Sequence, residues 1–121
     1  MAVRLLLDEH LRGVPWHALC RARDVHPELE FTRVGDPPDL PLGTADELLL
    51  HWAASHRYVL VSADLKTMPG HFAAHLEAGK QSAGLILVPS SHNLAATIEY
   101  LIEVSLCSDH HEWLDHVEYA P

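Results

Sequence analysis

Three aspartates stand where carboxylates can act together. Asp8 directly follows the apolar run Val3–Leu7, and Asp64 follows the run Tyr58–Ser62 after Ala63. If both runs are strands of one parallel sheet, their acids emerge at the same carboxyl edge. A carboxylate at the end of a buried strand is costly unless it is solvated, hydrogen-bonded or metal-bound. Two that converge repel, and a hard divalent cation relieves the repulsion. Mg²⁺ typically takes one or two carboxylates and keeps several waters. Asp46 supplies a third acid. It shares a helical face with Leu49 and Ala53, which should look toward the sheet, so it leans toward the same rim. Glu47 has a structural role of its own, because Thr44-x-x-Glu47 reads as a capping box.

Other chemistry-bearing groups are weaker signals. His71-x-x-x-His75 has the spacing for two zinc ligands on one helix face, but no Glu follows His71, so the metalloprotease motif is absent. The segment Asp109–His116 is rich in ligand types and reads as solvated surface. Cys20 and Cys107 show no CxxC spacing and read as buried, reduced thiols. Trp52, Trp16 and Phe72 read as core residues, and Trp113, among polar neighbours, is of these the one best suited to an interface. Arg12, Arg33 and Arg57 are isolated arginines of the kind that usually decorate a surface. There is no phosphate-binding Gly-rich loop and no nucleophile elbow.

The elements that must hold these acids follow from apolar patterning. Val3–Leu7, Glu30–Val34, Tyr58–Ser62 and Gly84–Val88 read as strands, and Val117–Tyr119 as an edge strand. Helices are predicted over 14–23, from Thr44 to about His56, over 70–79, and from an Asn93 cap through Leu106. This alternation predicts a mostly parallel sheet with helices on both faces, in which ligands bind beyond the carboxyl ends of the strands. The nine-residue loop Gly35–Gly43 is long enough to be functional. At 121 residues the chain is one domain, residues 1–121, with no repeat and no linker.

Composition narrows the function classes. The chain is 48% hydrophobic and 21% charged, which is ordinary globular composition. Seventeen acids against eight Lys plus Arg give a formal charge of -9, which argues against a protein that coats nucleic acid through a basic surface. Any action on nucleic acid must be local. Eleven histidines make the net charge strongly pH-dependent in mild acid. The opening run meets Asp8 and Glu9 too soon for a signal peptide, and no stretch approaches a membrane span. A reducing cytoplasm is the expected compartment.

Three blocks together resemble a known family. Leu5-Leu6-Leu7-Asp8-Glu9-His10, then Thr44-Ala45-Asp46-Glu47, then Arg57–Asp64 are similar, in order and spacing, to the short bacterial PIN-like proteins. The resemblance covers residues 4 to about 67. It implies a Rossmann-like PIN-like α/β domain whose function is a Mg²⁺- or Mn²⁺-dependent ribonuclease, often a toxin paired with a small antitoxin. Asp8, Asp46 and Asp64 would be the catalytic metal ligands. Glu9, His10 and Ser62 would support them, and Lys66 would touch the phosphate. The implied partners are an RNA substrate, a small antitoxin protein and a second copy of the chain, with no membrane. Two departures stand out: Lys66 and Thr67 occupy the positions of a second Asp and a Phe in the family pattern, and His10 replaces its Asn. A fourth carboxylate is lost. Two other classes compete. One is a catalytically inactive module for binding or oligomerisation. The other is a receiver-like signalling domain, which Leu60–Gly70 resembles locally. Receivers need a Lys after the fifth strand, and the only lysines here are Lys66 and Lys80.

Overall fold

A computed structural model describes residues 2–121. The strands β1 (Arg4–Leu7), β2 (Phe31–Arg33), β3 (Tyr58–Ser62), β4 (Leu85–Leu87) and β5 (Val117–Tyr119) form one sheet in the order β2-β1-β3-β4-β5. All four pairings are parallel. In the central pair Leu5 lies opposite Val59 and Leu7 opposite Val61. The helices are α1 (Val14–Val25), α2 (Asp46–His56), α3 (Met68–Glu77), α4 (Leu94–Cys107) and the single turn α5 (His110–Trp113).

The continuous apolar runs of β1, β3 and β4 follow from burial on both faces. Leu5, Leu7, Val59, Val61 and Ile86 pack with Leu19 of α1 and with Ile98, Leu101 and Val104 of α4. Leu6, Leu60, Leu85 and Leu87 pack with Leu49, Leu50 and Ala53 of α2 and with Met68 and Phe72 of α3. Asp8 and Ser62 continue the even-numbered alternation of Leu6 and Leu60. They therefore leave the sheet on the side that α2 and α3 cover.

Local signals mark several boundaries. Pro15 sits in the first turn of α1, where its missing N–H removes no helical bond. The Asn93 side chain accepts the Ala96 N–H and caps α4, as predicted. Four expectations need correction. The Thr44–Glu47 capping box does not form. Ala45 is the cap residue, the Thr44 hydroxyl donates to the Pro41 carbonyl at 2.6 Å, and Glu47 faces His71 instead. Trp113 is not at an interface but in the core, 4% exposed, with its indole N–H donating to Ser108 Oγ at 3.0 Å. Its seat depends on Gly84 (φ +116°), where a Cβ would fall 2.8 Å from the Trp113 carbonyl oxygen. Cys107 is exposed and Cys20 only half-buried, because each lies at the margin of its helix's apolar stripe. Finally, His75 is buried with its Nε2 against the Gln81 carbonyl at 3.0 Å, so it is not poised with His71 as a zinc ligand.

A candidate active site at the carboxyl edge of the sheet

The strand order places a topological switch point between β1 and β3. From β1 the chain crosses through α1 to β2 on one side, then returns through α2 to β3 on the other. The connections diverge there and leave a crevice beyond the carboxyl ends, where ligands of such sheets bind. A cleft of about 230 Å³ occupies it, lined by Asp8, Glu9, His10, Asp46 and Asp64 with Thr44, Leu49 and Met68. The structure thus brings the three sequence-predicted aspartates to one cleft. Among the described residues, Asp8, Asp46 and Asp64 do not form a set whose ligand atoms all lie within 4.8 Å of one another.

Asp8 is the buried member, 5% exposed. Its Oδ2 accepts from Ser62 Oγ at 2.6 Å and from the Ala63 N–H at 3.1 Å; its Oδ1 accepts from the His10 N–H at 3.0 Å. Burial pushes its pKa above the ordinary value, and these donors oppose that push without reversing it. Ser62 is fully buried, and its Oγ in turn accepts the Asp64 N–H at 3.1 Å. One hydroxyl therefore links the ends of β1 and β3.

Asp64 behaves differently. Its Oδ1 accepts from the backbone of Lys66 at 3.1 Å and of Thr67 at 2.9 Å, and its Oδ2 accepts the Thr67 hydroxyl. These bonds, the Thr67 hydroxyl foremost, hold its pKa below the usual carboxylate value. Asp64 is thus ionised, fixed, and partly committed to the turn that opens α3. Asp46 is half-buried, and its Oδ2 lies 3.4 Å from Nε2 of His71. The other ring nitrogen of His71 lies 3.4 Å from Glu47 Oε1. His71 therefore ties the first turn of α2 to that of α3.

The supporting residues separate on inspection. The Glu9 carboxylate accepts the Gly43 N–H, which joins the end of β1 to the 35–43 loop. That loop reaches the cleft at Gly43 and is pinned by Leu40, 1% exposed, and by a Gly35 N–H bond to the Leu40 carbonyl at 2.8 Å. His10 is exposed, with Nδ1 3.9 Å from Asp8 Oδ2. The Lys66 side chain is exposed and does not line the cleft. Arg12 and Arg33 are structural. Arg12 donates to the Val34 carbonyl at 3.0 Å, and Arg33 pairs with Asp36 at 3.0 Å and stacks over Trp16.

Two participants escaped the sequence reading. Thr67 could have been found from the Asp-x-x-Thr spacing, since Asp side chains cap short turns. His71 had no local signal, because its acidic partners lie 25 and 24 residues earlier. Comparison of the chain with protein-family models, with curated proteins and with solved structures gave no match.

The donor set suits a hydrated hard cation. It consists of carboxylate oxygens, as Mg²⁺ and Mn²⁺ prefer, and an ion held by so few of them would keep several waters. Asp8 Oδ1 carries one hydrogen bond and retains a lone pair; Asp64 Oδ2 does too.

Proposed function

We propose that this cleft is a divalent-cation-dependent phosphodiesterase site acting on RNA, of the kind the PIN-like resemblance implies. One observation carries the reading. Asp8, Asp46 and Asp64, from three separate chain segments, line a single cleft at the β1/β3 switch point. A bound Mg²⁺ or Mn²⁺ would supply water activation and charge stabilisation for in-line attack on a phosphodiester. Asp8 and Asp64 would hold such an ion, with Asp46 as a further ligand or as an acceptor for its waters. Ser62 holds Asp8 in place, and His71 orients Asp46. A role as a toxin with a small antitoxin partner belongs to the same proposal.

A second reading, a module that binds without cleaving, is favoured by a specific feature. Three acceptor positions of Asp64 serve the turn before α3, and Lys66 replaces the fourth acid. The receiver-like alternative shares this strand order, but Lys66 and Lys80 lie before α3 and before β4.

Cleavage of single-stranded RNA with Mn²⁺ separates the readings, comparing wild type with Asp46→Asn and Asp64→Asn. Asn at 64 keeps an acceptor for the turn amides, so the fold survives. Cleavage by wild type that both variants lose supports the nuclease. Equal activity in the variants, or none in wild type across metals and RNAs, refutes it.

A further inference from the structure

At the opposite edge of the sheet lies a second group of metal-ligating side chains. Asp109, His110 and His111 each offer a ligand atom, and these atoms all lie within 4.8 Å of one another. Asp109 Oδ1 is 2.9 Å from Nδ1 of His111 and 3.6 Å from Nδ1 of His110. Zinc bonds to nitrogen and oxygen of about 2.0–2.1 Å set tetrahedral ligands about 3.3 Å apart. The two spacings straddle that value, and the shorter is a hydrogen bond in which Asp109 Oδ1 accepts from His111 Nδ1, which a bound ion would replace. Among the described residues this is the one such set of three.

The segment that carries these groups is fixed rather than free. Trp113, two residues on, is buried in the core and clasped against Gly84. The backbone beneath the donors is therefore held in place, while the exposed Asp109 and His111 side chains order on binding. His110 and His111 also line a cavity of about 200 Å³ at the amino edge, with Arg57, Gln81 and Ser82. It offers room for a fourth ligand, and Arg57 suits that position to water or an anion. Imidazole with one carboxylate is the donor chemistry of zinc, nickel and copper rather than magnesium. We propose that Asp109, His110 and His111 form a three-ligand site for a divalent transition-metal ion of the zinc class, with the fourth position open to the amino-edge cavity. The site is separate from the acidic cleft and does not depend on its function.

The test titrates the full chain with Co²⁺ alone, followed by its visible absorption, and then displaces it with Zn²⁺. Wild type should bind one equivalent at this site. His110→Ala and His111→Ala should each weaken binding at least about tenfold, since even outer partners of metal ligands cost that much. His17→Ala, an exposed histidine of α1 that belongs to neither site, should leave it unchanged. Both histidines are at the surface edge of α5, and urea midpoints in the absence of metal verify that the variants fold. In wild type, Zn²⁺ should shift the imidazole NMR signals of His110 and His111 before those of the other histidines. Absence of stoichiometric binding, unchanged affinity in both His variants, or first shifts at other histidines would each overturn the proposal.

Discussion

Ser62→Ala tests whether the linked ends of β1 and β3 hold a charged Asp8. The mutation deletes the 2.6 Å bond from Ser62 Oγ to Asp8 Oδ2 inside a buried environment. A hydrogen bond to a charged group contributes about 1.5–3 kcal/mol, and a neutral one about 0.5–1.5 kcal/mol. The cost is therefore about 1 kcal/mol greater when Asp8 is ionised than when it is protonated. Loss of the Asp64 N–H acceptor adds a penalty that does not vary with pH. The sign follows from linkage. Burial already places the Asp8 pKa above 3.8, and removing a donor raises it further. The extra penalty is absent below the unfolded value and develops as pH rises through the folded one. Urea unfolding followed by tryptophan fluorescence, from pH 3.5 to pH 8, should show the gap between wild type and variant widening by about 1 kcal/mol. Carbon-detected NMR should place the Asp8 midpoint higher in the variant. A gap that is constant or narrows with pH would refute the assigned role of Ser62.

Further outcomes follow from the same geometry. Asp8→Asn removes a carboxylate whose ionisation burial penalises. Wild-type stability attributable to this group declines as pH rises through its raised pKa, so the variant should gain on wild type toward neutral pH in urea midpoints, while losing any divalent-cation binding to the cleft. Gly84→Ala places a Cβ against the Trp113 carbonyl at a left-handed φ and should cost about 2 kcal/mol or more, with altered Trp113 fluorescence. Glu118 has its pKa lowered by the His116 ring and the Tyr100 hydroxyl. Its contribution is present above about pH 4.5 and lost as pH falls through the folded value. Glu118→Gln should flatten that acid limb of the stability profile.

Much of the architecture was readable from the chain because its causes are local. The runs at 4–7, 58–62 and 85–87 are apolar on both parities, and only a strand covered on both faces rewards that pattern. An acid placed within two residues of such a run emerges at the carboxyl edge, so the sequence alone assigns Asp8 and Asp64 to one rim. The Asn93 cap was equally local. What tertiary structure decided are competitions between distant partners. The Thr44 hydroxyl had two acceptors within reach, and the folded loop presented the Pro41 carbonyl, which released Glu47 to face His71. Trp113 sits among polar neighbours in sequence, yet the glycine at 84 leaves a void in the core that its ring fills. The ionisation of the two rim aspartates also diverged for this reason. Both follow strands, but Asp8 lies beneath the helices and pays desolvation, while Asp64 is only partly covered and Thr67 holds its charge. Sequence order placed the acids on the rim; packing decided which of them is costly to ionise.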